Sequence, residues 1–180
     1  IILDGGPANI GIESTVLDIS AARPRILRPG GLSRESIEAL TGPLADAPAA
    51  GEKSSSPGQL KSHYAPLKDL YLHTSAEMRA LPFTANVEDA EAFLFFSQSS
   101  FEAFAEKNKI FNMPNTPAGE KHFFILSARG DPQEAAARLF DTLHTIDSLP
   151  VSRIHAERAP NTGLGAAIND RLCRAAAKAP

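Results

Sequence analysis

Residues 4–31 read DGGPANIGIESTVLDISAARPRILRPGG, and this stretch decides how the first part of the chain folds. Within it, GIESTVLDI (11–19) alternates polar and apolar residues, and RILR (25–28) runs straight into Pro29-Gly30-Gly31. Ala22, Arg23 and Pro24 break the two runs apart, which predicts a β-hairpin. A period of two puts Ser14, Val16 and Asp18 on one face and Glu13, Thr15 and Leu17 on the other. Hydroxyls, a carboxylate and Arg28 then lie on short strands beside glycines. Hydroxyl donors, a fixed cation and a backbone open to close approach suit a small polar anion.

Ile1-Ile2-Leu3 ahead of the hairpin reads as a further strand. Behind it, Ser33 is placed to cap a short helix carrying Ile37 and Leu40, closed by Gly42-Pro43. Residues 1–42 are too few to bury a core of their own and must dock on something. PLADAPAAGEKSSSP (43–57) has no periodicity and reads as an exposed linker. SPGQLKSHYAP (56–66) is framed by prolines, which hold the preceding residues extended. With adjacent His63 and Tyr64, it reads as a segment ordered by lying against a surface.

From residue 68 strands and helices alternate. Strands are expected at 70–73, 92–97, 122–126 and 151–156. Helices are expected at 75–81, with Ser75 as cap, and at 99–108. A third follows Asp131-Pro-Gln-Glu134, where an acidic cap, proline at the first position and glutamate at the third mark a helix start. The last begins near Thr162-Gly163; Leu164, Ile168, Leu172 and Ala175 form its apolar stripe, with Asp170, Arg171 and Arg174 pointing elsewhere. The fold class is therefore α/β: a Rossmann-like three-layer domain with a mostly parallel sheet over 68–180, preceded by a hairpin unit at 1–42 and a linker at 43–67.

Composition narrows the function. The chain is 43% hydrophobic with ten Phe and no Trp, enough for a real core. Net charge is −3 and the 18 Lys and Arg are scattered, so the basic stripe of a nucleic-acid binder is missing. One cysteine, Cys173, cannot form a disulfide within one chain and fits a reducing cytoplasm. Its place in the last helix predicts a packed small side chain. The longest apolar run, 92–96, is far too short to span a bilayer. His122, His144 and His155 show no ligand spacing, and no metal site is assigned. Gly163-Leu-Gly165 lacks the third glycine of a dinucleotide fingerprint and reads as a tight turn.

Each candidate residue has a structural alternative. The Ser14 and Thr15 hydroxyls could meet a ligand or be ordinary strand residues. Arg28 could hold a phosphate with its planar fork, or make a weak surface pair. His63 and Tyr64 could close over a nucleotide, or simply pin the linker.

Three motifs then fall in one order: DGG with GIESTVLD and ILRPGG; SPGQLKSHYAP; and GLGAAINDRLCRAA at 163–176. In that order they resemble the long-form L-threonylcarbamoyladenylate synthases, and the match covers nearly the whole chain. The hairpin unit resembles the distal part of their YrdC-like catalytic domain, and 68–180 their extra C-terminal domain. The linker departs from the form SPGMKYRHYAP, with Gln59, Lys61 and Ser62 in place of Met, Tyr and Arg. The resemblance implies a nucleotidyltransferase that joins L-threonine, bicarbonate and ATP into threonylcarbamoyl-AMP and pyrophosphate. Its product serves N6-threonylcarbamoyladenosine formation at position 37 of tRNA. Ser14 would contact L-threonine and Arg28 the ATP, with His63 and Tyr64 in a linker lid. No protein nucleophile is implied, and Mg²⁺ would travel on the nucleotide. The partners would be these substrates and downstream tRNA-modification proteins, in the cytoplasm. The phosphate cradle and a Ser-x-Asn motif are expected upstream of Ile1, so 1–180 alone is expected to be inactive. The alternative reading is a non-catalytic nucleotide- or RNA-binding module; double-stranded RNA is disfavoured by the negative charge.

Overall fold

A computed structural model describes residues 1, 3, 6, 9–46, 65–83, 90–110 and 121–177. The hairpin forms as expected, from β1 (Val16–Asp18) and β2 (Arg25–Arg28) paired antiparallel. It is shorter than the alternation suggests. The ladder begins only at Val16, and its register slips between Val16 and Leu17. Ile1 and Leu3 lie in no strand, against the expectation of a third one. Helix α1 (Arg34–Thr41) starts at Ser33, whose side chain accepts from the Ser36 amide. Ile37 is buried, whereas Leu40 stays exposed.

Leu44 is also buried, and Ala45 N–H donates to the Pro24 carbonyl at 2.8 Å. These two residues therefore pack with the hairpin unit, although 43–57 reads as exposed linker. His63 and Tyr64, with most of the SPGQLKSHYAP segment, lie outside the described residues.

The second unit is a four-stranded sheet in the order β3 (Asp69–His73), β6 (Arg153–Glu157), β4 (Glu91–Ser97), β5 (Lys121–Ser127). All of its pairings are parallel. Parallel strands need crossovers, and α2 (Ser75–Ala80), α3 (Gln98–Lys107) and α4 (Pro132–Asp147) lie in them, while α5 (Leu164–Ala176) follows the last strand. One face carries Leu70, Ala92, Leu94 and Ile154, packed against Leu139 and Leu143 of α4 and Ile168 and Leu172 of α5. The other carries Phe93 and Phe95 against Met78 of α2 and Phe104 of α3. Three layers result, the architecture expected from the alternating pattern.

Local signals explain the helix starts. Thr74, not Ser75, caps α2. It forms a capping box with Glu77, because the T-x-x-E spacing is counted from Thr74. Asp131 caps α4 with Pro132 in its first turn. Glu134 does not reach back to the cap but accepts from the Ser127 hydroxyl at 2.6 Å.

Across the amino ends of the strands, Asp69, Arg153, Glu91 and Lys121 stand in register, with charges alternating in sign. Lys121 is nearly fully buried and is paired with Glu91. One row further in, Tyr71, His155, Phe93 and Phe123 form an aromatic row.

The hairpin unit also meets the second one. Ile12 packs against the α4/α5 core. Gly11, at φ +69°, lies so close to α4 that a Cβ there would sit 2.4 Å from the Ala137 Cα. Two side chains of α5 depart from expectation. Cys173 is exposed, near the Arg158 guanidinium, not packed. Arg171 is buried, at 4% exposure, not directed to solvent.

Candidate functional site

The turn after β2 lies flat on residues 13–15. Gly31 N–H donates to the Glu13 carbonyl at 2.9 Å. The Thr15 hydroxyl donates to the Leu32 carbonyl at 2.6 Å and accepts from the Leu32 amide at 3.1 Å. Gly30 permits this approach, since a Cβ there would lie 2.3 Å from the Glu13 carbonyl oxygen. Thr15 is thus a structural residue, and its hydroxyl is spent on the turn.

Beside this platform opens a cavity of about 700 Å³, walled by Ile12, Ser14, Thr15, Leu17, Leu32 and Ile37. Ser14 is exposed on its edge. Residues of both parities border the same cavity, so the strict two-face separation of 13–18 fails. The ladder begins only at Val16, and residues 13–15 lie outside it, against the backbone of Gly30. Arg28 is half-buried behind this wall, and its Nη2 donates to the Ser14 carbonyl at 3.1 Å. The family resemblance assigns Ser14 to L-threonine and Arg28 to ATP. In the fold they are neighbours, but Ser14 borders the cavity and the guanidinium holds its backbone.

A third residue completes the arrangement. Arg171 of α5 donates through Nε to Glu13 Oε2 at 2.6 Å and through Nη2 to the Pro29 carbonyl at 3.2 Å, and its Nη1 is paired with Asp170. Burial alone would raise the Glu13 carboxyl pKa. The Arg171 hydrogen bond and charge outweigh it, with help from Arg28, and hold it below the usual value. Arg171 lies three residues after Ile168 and seven after Leu164, on the helical stripe itself. That spacing is the signal by which sequence could have found it.

The second unit offers a rival location. A crevice of about 450 Å³ opens at the carboxyl ends of β3 and β6, bordered by Thr74, Arg158, Asn161 and Asn169. Ligands of open α/β sheets occupy such crevices. Here the Thr74 hydroxyl is bonded to Glu77, and the Asn169 side chain bonds both the amide and the carbonyl of Ala159. Those polar groups close loop ends. Nearby, His73 and His155, which sequence spacing leaves apart, are in hydrogen-bond contact. Among the described residues no group of three or more His, Cys, Asp or Glu gathers as a metal site. No helix among them is long and apolar enough to cross a membrane.

Residues 32–177 match the family described as "Threonylcarbamoyl-AMP synthase, C-terminal domain". The chain belongs to that family. Among curated proteins it is 33% identical over 181 residues to threonylcarbamoyl-AMP synthase of Bacillus subtilis, covering 97% of this chain and 48% of that protein. It is 32% identical over 179 residues to the Pyrococcus abyssi threonylcarbamoyl-AMP synthase, with the same coverages. The crystal structure of Pyrococcus abyssi Sua5 complexed with L-threonine superposes with a TM-score of 0.69 at 25% identity, over 96% of this chain and 48% of that one. The chain therefore spans about half the length of these threonylcarbamoyl-AMP synthases. Its α/β architecture, with a parallel four-stranded sheet and a small antiparallel hairpin, is the one expected from the sequence.

Proposed function

We propose that this chain is the distal half of an ATP-dependent threonylcarbamoyl-AMP synthase acting in N6-threonylcarbamoyladenosine formation on tRNA. L-Threonine, bicarbonate and ATP are its substrates, and it works in the cytoplasm. Residues 1–42 contribute one wall of the catalytic domain, 43–67 the linker, and 68–180 the C-terminal domain. The observation that carries the reading is the pairing of Ser14, at the edge of a 700 Å³ cavity, with Arg28 fixed to its backbone. It is supported by family membership over 32–177 and by likeness to a protein solved with L-threonine.

In this reading the Ser14 hydroxyl orients L-threonine, and the Arg28 guanidinium keeps that strand in place while adding positive charge for the nucleotide. His63 and Tyr64 act from the linker as part of a lid. The chemistry needs no protein nucleophile. The threonine amine attacks the bicarbonate carbon, and its proton leaves with one bicarbonate oxygen as water, giving a carbamate; a carbamate oxygen then attacks the α-phosphorus and expels pyrophosphate. The protein contributes position and charge. Mg²⁺ accompanies the ATP phosphates as part of the substrate.

The test is pyrophosphate release from ATP, Mg²⁺, L-threonine and bicarbonate by a polypeptide joining this chain to the half its relatives carry in addition. Turnover that depends on all three substrates is expected from that polypeptide and none from residues 1–180 alone. Ser14→Ala should raise the KM for L-threonine, and Arg28→Ala should weaken ATP. A joined polypeptide that neither binds L-threonine nor releases pyrophosphate would remove the enzymatic reading and leave the nucleotide- or RNA-binding module.

A further inference from the structure

We propose that Arg171 is a positioning residue for the substrate wall, through which the C-terminal helix sets where Ser14 and Arg28 stand. The inference rests on the assignment of those two residues to substrate.

The geometry is unusual for a helix arginine. The side chain is 3% exposed, and its three nitrogens reach three different groups. One is the carboxylate of Glu13, immediately before Ser14. Another is the carbonyl of Pro29, immediately after Arg28. The third is Asp170, on its own helix. One planar fork thus bridges the residues flanking both proposed ligand-binding side chains, across 158 and 142 positions of sequence. Arg174 adds a second fork to Asp170, with Nε and Nη2 each at 2.9 Å, which keeps that carboxylate turned toward Arg171.

Simple packing does not require this. The hairpin unit already has Ile12 in the α4/α5 core and Gly11 against α4. Those contacts fix how the units meet. They leave open the separation between the Glu13 segment and the Pro29 turn, which are two stretches of chain. Arg171 spans that gap through side-chain contacts, alongside the Gly31 amide on the Glu13 carbonyl and the Thr15 hydroxyl on Leu32. A lysine could pair with Glu13, but as a point charge it could not hold the Pro29 carbonyl at the same time. A displacement of about 1 Å in positioned groups costs on the order of 10²-fold in rate, so such a brace has catalytic weight without touching substrate.

The experiment uses the joined, full-length polypeptide. L-Threonine affinity is measured by calorimetry for wild type, Arg171→Gln, Arg171→Lys, Glu13→Gln and Ser14→Ala, alongside hydrogen exchange of peptides spanning 11–18 and 26–33. Arg171→Gln is expected to weaken threonine about tenfold or more and to speed exchange in both peptides. Its KM should rise more than its kcat falls, because saturating substrate restores the geometry. Arg171→Lys should fall between, since it keeps one of the two inter-unit contacts. Native threonine affinity in a folded Arg171→Gln enzyme overturns the proposal. If that variant does not fold, Glu13→Gln decides in the same way, because it removes only the ionic partner. Ser14→Ala separates this inference from the reading beneath it. Weak binding in Ser14→Ala with native binding in Arg171→Gln defeats the positioning role alone. Native binding in Ser14→Ala defeats the site assignment itself.

Discussion

His73 Nε2 lies 3.0 Å from His155 Nδ1, joining β3 to β6 inside the aromatic row of the sheet. His155 is stacked between Tyr71 and Phe93, and its Nε2 faces Glu91 at 3.7 Å. At that separation one ring donates and the other accepts; two imidazolium rings would both donate and repel.

Burial pushes both histidines below their ordinary value. Glu77 offsets this for His73 and Glu91 for His155, while Arg153 adds to it at His155. The folded protein therefore holds them neutral where the unfolded chain would be protonated. Because the unfolded state then binds more protons, stability rises with pH in this window. It should be fully present above about pH 6.5, the unfolded value, and fall as pH drops toward the folded values. Thermal melts at pH 7, 6 and 5 should show a declining Tm. His155→Phe, which keeps the stacking and removes the proton site, should flatten that decline. An unchanged slope in the variant would show that the pair does not titrate on unfolding.

Lys121 and Glu91 test a different kind of burial. The Lys121 side chain is 3% exposed and Glu91 15%, with Arg153 at 3.5 Å from the same carboxylate. Glu91→Gln removes the carboxylate charge paired with the buried Lys121 ammonium and should cost about 3–5 kcal/mol in denaturant unfolding. Adding Lys121→Met should restore most of the loss. Glu91 is itself held below its usual pKa; burial pushes up, and the Lys121 hydrogen bond and charge overcome it. This contribution is present above about pH 4.5, the ordinary value, and is lost as pH falls below it.

Gly30 is where the turn meets the strand. A methyl group would stand 2.3 Å from the Glu13 carbonyl oxygen and 2.4 Å from the Thr15 nitrogen, both backbone atoms that cannot swing aside. Gly30→Ala should therefore force the two segments apart, at about 1–3 kcal/mol of stability. In the full-length polypeptide it should also lower threonine affinity. A variant with native Tm and native binding would mean the segments separate freely.

Thr15 makes the milder version of the same test. Thr15→Val keeps the shape and removes both hydrogen bonds to Leu32, so unfolding should become easier by about 1–2 kcal/mol. Threonine affinity should change far less than in Ser14→Ala, since the Thr15 hydroxyl faces protein. An effect on binding equal to that of Ser14→Ala would transfer the ligand role to Thr15.

Features written at short range were legible in the order of residues alone. The hairpin follows from two runs and an Ala-Arg-Pro break, and the parallel sheet from strands alternating with capped helices. The Asp131-Pro132 start of α4 and the Ser33 cap of α1 are local signals, read within four residues. Even the Thr74 capping box was there to be read in TSAE. Tertiary structure decided the rest. Arg171 is charged, and a charge is assigned to solvent unless its partner is known; that partner, Glu13, arrives from the other end of the chain. His73 and His155 sit 82 positions apart and meet because β6 inserts between β3 and β4. Ser14 lies outside the β1–β2 ladder, in the segment that packs against Gly30, so the period of two does not govern which residues border the cavity. A side chain's local period sets which way it can point, but only the partner across the fold sets whether burying it is favourable.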